Sequence, residues 1–238
     1  MKLVELTGLE DGDLLLDIGA GTGEIGAEIA RLRTRYVALD LSLPMLQVFR
    51  RRLKGMPASA KLIVADANAS WPIADHSVRA IFGSRSFHLL SVDHLIQEAF
   101  RVGSRRGAML VIGRVSRDSQ AIKATMRREM LRLLGTSTRG SNTGENRSRL
   151  LIEALVERGA VALAPLEAAR WTAAHSPADS LNSWRSKPGL GGTSVPEPLK
   201  SEILSKLEKW ALKAFQDLDL RVQSEERFVL EGVRLPAA

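Results

Sequence analysis

The segment Asp17-Ile18-Gly19-Ala20-Gly21-Thr22-Gly23-Glu24 constrains this chain more than any other. It overlaps the end of Leu14-Leu15-Leu16-Asp17-Ile18, a continuous apolar run bounded by Asp11-Gly12 and the glycines, which fits a strand buried on both faces of a parallel sheet. From Glu24 onward the period changes, with Ile25, Ile29 and Leu32 at helical spacing, before a second strand at Tyr36-Val37-Ala38-Leu39-Asp40. Strand, helix and strand in so short a span make a βαβ unit. Glycines in the first turn of such a unit permit positive φ and close ligand approach, and the helix start offers unpaired N–H groups.

The alternation continues down the chain. Ser42 is a predicted N-cap, with Pro44 in the first turn, an apolar stripe of Met45, Leu46, Phe49 and Leu53, and Gly55 to close the helix. A third strand is expected at 61–66, a fourth at 80–83, a helix at 92–102 and a fifth strand at 108–113. This predicts an α/β fold, a doubly wound, mainly parallel sheet with helices on both faces. Beyond Val115 the expectation is an arginine-rich helix at 119–134, a polar glycine-rich loop at 135–144, expected to be mobile, and a helix at 146–158. Strands near 168–174 and 228–235 bring the sheet to seven. Between them lies a helical excursion, 177–215, holding Trp184 and Trp210, read either as a substrate-shaping lid or as a surface insertion with no ligand role.

Composition narrows the options. With 238 residues and 45% apolar content the chain can bury a core as one domain with an insertion. The absence of cysteine removes disulfides, cysteine-rich zinc sites and thiol nucleophiles, and no other metal-ligand pattern is evident. No signal-peptide h-region and no run of about 20 apolar residues is present, so a cytoplasmic chain without a membrane span is expected. The net charge of +7 admits nucleic acid as a partner. Against that, several arginines fall at predicted helix ends or on solvated faces, and aromatics are only 5%, with no basic-aromatic interleaving for stacking bases.

Gly21, Gly23 and Gly26 also spell G-x-G-x-x-G, so a dinucleotide is one reading of the loop. Charge argues against it: Asp17 and Glu24 flank the turn and no lysine or arginine lies inside it, which would repel a pyrophosphate and suit a cation. Asp40, about twenty residues on, stands where an acidic side chain accepts ribose hydroxyls. Asp66, expected to end the third strand on the same edge, could accept from an adenine amino group. S-adenosyl-L-methionine, with an ammonium and a sulfonium but no phosphate, is the cofactor this set suits.

With these residues in place the sequence resembles the class I S-adenosylmethionine-dependent methyltransferases, in particular the group containing ubiquinone/menaquinone biosynthesis and natural-product enzymes. The likeness runs through 14–23, through 38–42 with Met45-Leu46, and through Asp66-Ala67 with Trp71-Pro72-Ile73. It continues through 82–90 and Glu98-Ala99-Phe100-Arg101-Val102, covering roughly residues 10–115. It implies one methyltransferase domain over 1–238, a Rossmann-like seven-stranded sheet with a helical insertion before the last strand, and a cofactor surrounded by Asp17, Gly19, Ala20, Gly21, Gly23, Asp40, Leu41, Met45, Asp66, Ala67 and Ser84. Two departures stand out: Arg79 where relatives place an acid before the fourth strand, and Gly103-Ser104-Arg105-Arg106-Gly107 in place of a lysine-proline-glycine turn. Little helical chain precedes the glycine motif, so cover for the site would come from 116–146, from 177–215 or from a second subunit in a homodimer.

Methyl transfer from a sulfonium is an in-line displacement that proximity and alignment can drive, so no catalytic motif is obligatory. His88, after the fourth strand, is the first candidate base, and His175, after the sixth, the second. Arg85 could orient an anionic acceptor, and Trp184 could line its site. The fourth strand lacks the asparagine- or aspartate-Pro-Pro-aromatic motif that grips a nucleobase amine in similar enzymes, so the expected acceptor is a small molecule. The alternatives are an RNA methyltransferase, an NAD(P)-dependent oxidoreductase and a non-catalytic cofactor-binding protein.

Overall fold

The computed structural model describes residues 2–32, 34–56, 60–135, 144–190 and 194–237. Most of the glycine-rich loop expected at 135–144, and Gly191-Gly192, lie outside them. Among the described residues there are eight strands: β1 (Leu14–Ile18), β2 (Arg35–Asp40), β3 (Ala60–Val64), β4 (Ala80–Ser84), β5 (Met109–Arg117), β6 (Val161–Ala162), β7 (Leu166–His175) and β8 (Val222–Arg234). The helices are α1 (Lys2–Thr7), α2 (Gly26–Ile29), α3 (Leu43–Leu53), α4 (Val92–Val102), α5 (Ile122–Leu133), α6 (Gly144–Val156), α7 (Pro177–Arg185) and α8 (Glu197–Phe215), with one 3₁₀ turn at Phe87–Leu89.

The sheet runs β3-β2-β1-β4-β5-β8-β6, with β7 also paired to β8. Neighbouring pairs from β3 to β5 are parallel, and β6 is antiparallel to β8. This is the Rossmann-like α/β sheet that the alternating pattern predicts. One strand is gained: β7 covers the whole of the strand expected near 168–174, and the two-residue β6, which was not expected, precedes it, with Pro165, which has no N–H for a ladder, between them.

The chain divides into two compact units. Unit 1 comprises Met1–Arg114, Thr143–Ala168 and Val229–Ala238; unit 2 comprises Val115–Asn142 and Ala169–Phe228. In unit 1 all five residues of β1 are buried, as a central parallel strand requires. Leu14, Leu16 and Ile18 pack in one core with Ile81, Leu95, Ile96, Ala99, Leu110 and Leu155. α4 runs from an N-cap at Ser91, whose hydroxyl accepts from the His94 N–H, to Gly103. Its Glu98 accepts the Trp71 backbone N–H at 2.6 Å, and Arg101 donates to the Trp71 and Ile73 carbonyls and to Glu98 and Asp75. Two of the motifs that carry the family resemblance are therefore one clamp, α4 holding the 71–75 segment.

The two departures also meet. The Arg79 guanidinium donates to the Gly107 carbonyl in the altered turn and pairs with Asp13 at 3.6 Å, so a strand-start arginine finds its acceptors locally. In unit 2, α5, α7 and α8 pack around Ile122, Met126, Met130, Leu181, Leu204 and Leu207. α7 begins in a capping box between Ser176 and Asp179. Among the described residues no helix is long and apolar enough to cross a membrane.

Two elements differ from expectation in ways that shape the site. α2 is four residues long, Gly26–Ile29, where a helix starting at Glu24 was expected, and it follows a turn in which Gly19, Gly21 and Gly23 hold φ of 71°, 57° and 74°. β3 ends at Val64, so Asp66 lies two residues beyond the strand it was expected to close.

Candidate cofactor-binding site

The glycine turn sits at the carboxyl ends of β1 and β2, outside the strands, where open α/β sheets bind ligands. Its backbone is fixed from β2: the Gly19 and Ala20 N–H groups both donate to the Leu39 carbonyl, at 2.8 and 3.1 Å. From below, the Ser86 hydroxyl donates to the Ile18 carbonyl at 2.5 Å. A Cβ on Gly19 would stand 2.4 Å from that of Ser86, and one on Gly23 would stand 2.0 Å from the Phe49 ring.

Asp40 closes β2 and organises the turn. Its Oδ2 accepts the Gly21 N–H at 2.7 Å and its Oδ1 accepts the Ser42 N–H at 2.8 Å. The carboxylate is half-buried and bridges the glycine turn to the start of α3. A loop N–H that would serve a pyrophosphate in a dinucleotide site is thus already bonded to a negative side chain.

Asp17 differs from the open strand-end carboxylate its position suggests. It is buried, and its Oδ2 accepts the Tyr36 hydroxyl at 2.5 Å. Burial pushes its pKa up to about 7, the Tyr36 hydrogen bond holds it down, and the nearby Asp40 charge raises it. The same pairing and burial push the Tyr36 phenol well above its ordinary range.

A stability consequence follows for Asp17. In the unfolded chain the carboxyl ionises near pH 4, whereas in the fold it keeps its proton to about 7, so the unfolded state binds fewer protons in between. Stability should fall as pH rises across that window and level off above it. Asp17→Asn should flatten the slope, which urea unfolding of both proteins at about pH 5 and pH 8 would measure.

The other expected cofactor residues stand at or beyond the carboxyl ends of the parallel strands β2, β3 and β4. Leu41 is 71% exposed and Met45 48%, and the Met45 Sδ is 3.9 Å from where a Cβ on Gly21 would stand. Asp66 is exposed, with Oδ1 accepting the Asn68 N–H at 2.9 Å. Ala67 is half-buried, and its carbonyl accepts the Trp71 indole N–H at 3.0 Å. Ser84 ends β4 half-buried.

The next residue, Arg85, is exposed and holds φ of 62°, a left-handed conformation uncommon outside glycine and asparagine. His88 lies half-buried in the 3₁₀ turn, and its backbone carbonyl accepts the Arg147 guanidinium from α6. His175 and Trp184 belong to unit 2. The His175 Nε2 is 3.2 Å from Glu226, whose same oxygen accepts Arg117 at 2.7 Å. Trp184 is partly buried against the unit 2 core. Tyr36, Ser86 and Arg147 act on the site yet carry no motif. Tyr36, a lone hydroxyl in an otherwise apolar strand nineteen residues after Asp17, was the one sequence signal available.

A doubly wound sheet with a carboxylate-lined glycine turn, a second acid closing β2 and a third beyond β3 defines the class I methyltransferase type. Comparison with known proteins is in keeping with this: residues 15–107 match the family described as a methyltransferase domain. It is 36% identical over 104 residues to demethylmenaquinone methyltransferase of Thermobifida fusca, covering 42% of this chain and 43% of that protein. It is 32% identical over 117 residues to a ubiquinone/menaquinone biosynthesis C-methyltransferase of Pseudomonas entomophila, covering 46% and 44%. The matches thus span less than half the length of these curated relatives.

Among solved structures, the fold is similar to geranyl diphosphate C-methyltransferase of Streptomyces coelicolor at TM-score 0.53 and 15% identity, over 98% of this chain and 77% of that one. It is also similar to a Bacillus halodurans protein classed as a methyltransferase, at TM-score 0.62 and 17% identity, over 99% and 97%.

Proposed function

We propose that this chain transfers a methyl group from S-adenosyl-L-methionine to a small-molecule acceptor. The observation that carries the reading is the anionic lining of the glycine turn, with Asp40 bonded to the Gly21 N–H and Asp17 buried beneath. That set repels a phosphate-bearing cofactor and accepts a cationic one. When bound, the cofactor supplies a methyl carbon on a sulfonium, activated for in-line displacement.

The residues divide the work of holding it. Gly19, Ala20, Gly21 and Gly23 form a surface without long side chains, Asp40 accepts the ribose hydroxyls and Asp66 the adenine amine. Exposed Leu41 and Met45 are the apolar flank for the base. Ala67 and Ser84 close the edge. Beyond β4, Arg85 is assigned to orient an anionic part of the acceptor and His88 to take an acceptor proton. Segments 116–146 and 177–215, which include α5, α7, α8 and Trp184, are assigned to shaping acceptor choice. The names of the relatives, quinone-biosynthesis and geranyl diphosphate enzymes, support acceptors of small-molecule size.

Thermal unfolding with S-adenosylmethionine, S-adenosylhomocysteine and NAD in parallel tests the cofactor. Either adenosyl compound at a hundred times its Kd should add ~2.7 kcal/mol, a rise of roughly 5–10 °C; a shift with NAD alone would sink the reading. A pH signature accompanies it. A cation favours the ionised form of Asp17, whose pKa lies at about 7 in the free protein, so affinity should rise through neutral pH and flatten above it. Calorimetric titration at about pH 6, 7 and 8 should show that rise in the native chain and lose it in Asp17→Asn.

A further inference from the structure

Unit 2 contains a group of cations that the transfer chemistry leaves unused. Lys123 and Arg127 lie four residues apart on α5, one turn of the helix, and so share a face. Like charges at that spacing weaken a helix. Both side chains are partly withdrawn from water, and burial lowers the pKa of each, with Arg117 at the end of β5 adding repulsion to both.

Other basic residues of the same helix are provided for. Arg132 forms a bidentate pair with Glu129 at 2.6 and 2.8 Å, and Arg128 is exposed with bonds to the Ser119 carbonyl and Thr125 hydroxyl. Among the described residues, no carboxylate reaches ion-pair distance of Lys123 or Arg127. The two acids that face Lys123 are committed elsewhere. Glu226 holds Arg117 at 2.7 Å and His175 at 3.2 Å; Asp179 holds the Ser176 N–H and Arg221, each at 3.1 Å. Lys187 adds a further positive charge to the surroundings of Lys123. Cations partly out of water with no ion-pair partner of their own are a net expense to the fold, and well-packed neutral side chains would suit the positions better.

We propose that Lys123 and Arg127, with Arg117 at their side, form a binding site in unit 2 for a multiply charged oxyanion, the phosphate or diphosphate group of a small molecule. Two cations lacking partners call for about two negative charges, and the guanidinium fork of Arg127 matches phosphoryl oxygens in pairs. Arg117, anchored through Nε to Glu226, keeps its remaining N–H groups for the same ligand. His175 is tied to that anchor by the shared Glu226 oxygen. The site stands whether or not the chain transfers methyl groups, since none of these residues holds the proposed cofactor.

The test is calorimetric titration of the full chain with pyrophosphate, inorganic phosphate and acetate at one ionic strength, using the native protein and Arg127→Gln, Lys123→Gln and Arg128→Gln. Pyrophosphate should bind the native chain and the Arg128→Gln control alike, more tightly than phosphate, with acetate not registering. Arg127→Gln and Lys123→Gln should each weaken it by at least about tenfold, the loss of one charge-assisted bond. Without ligand, Arg127→Gln should melt at or above the native temperature, because it removes an uncompensated charge. No binding beyond that of acetate, equal binding in all four proteins, or a lowered melting temperature in unliganded Arg127→Gln would each overturn the proposal, the last by making Arg127 a structural cation. Preference for a short single-stranded RNA over pyrophosphate would overturn the small-molecule assignment.

Discussion

Asp40→Ala should lose S-adenosylmethionine affinity by about a hundredfold or more while leaving the chain folded. Two ribose hydroxyls donating to one carboxylate are charge-assisted bonds, each contributing ~1.5–3 kcal/mol, so losing both removes ~3–6 kcal/mol, more than two decades of Kd. The fold should lose less, since the Gly21 and Ser42 N–H groups that Asp40 now holds lie at a half-buried edge where water can replace it. Calorimetric titration with S-adenosylhomocysteine beside a thermal melt separates the two effects. Native-like binding in Asp40→Ala would remove Asp40 from the ribose site.

Gly23→Ala should be the most damaging single methyl in the turn. At φ of 74° an alanine carries a left-handed penalty of ~1–2 kcal/mol. Its Cβ would also stand 2.0 Å from the ring of Phe49, which is fully buried and packs edge-to-face on Tyr36 at 6.1 Å. Overpacking of that kind costs about 1–3 kcal/mol, so a total of ~2–5 kcal/mol is expected, readable as a lowered urea midpoint at unchanged slope. Gly21→Ala isolates the conformational part, because its Cβ meets only the Met45 sulfur at an ordinary 3.9 Å. Equal stability of the two variants would refute the packing argument.

The difference between those glycines shows how far the sequence could be read. β1 and α4 have the expected bounds because their signals are local: a continuous apolar run ended by Gly19, and a helix stripe set between the Ser91 cap and Gly103. The glycine turn is legible for the same reason, and with it the type of cofactor it suits. What each glycine touches is not local. Gly23 needs its missing side chain because of Phe49, a helix and a strand later, and Asp17 is buried because Tyr36 reaches it across the β1–β2 pair.

Asp66 illustrates the opposite case: its apolar strand ended two residues earlier than the run of residues suggested, and an Asx-type bond to Asn68 set the chain turning. Of the boundaries between the two units one coincides with a change of pattern, the end of the regular alternation at Val115, whereas β7 and β8 run through two others without any break in composition.

The discontinuity of unit 1 bears on how the protein is made. Its sheet places β8 between β5 and β6, and the buried Val233 and Leu235 follow β5 only after α5, α6, β6, β7, α7 and α8. Gly232 fits so closely that a Cβ there would be 2.0 Å from the Leu110 carbonyl oxygen, so this closing strand docks against backbone. During synthesis the first 114 residues would therefore emerge with β5 as an uncovered edge and wait for more than a hundred further residues before it is paired. Such long-range closure is slow and leaves an intermediate open to aggregation. Chains cut after residue 228 should stay in that state however favourable their remaining contacts.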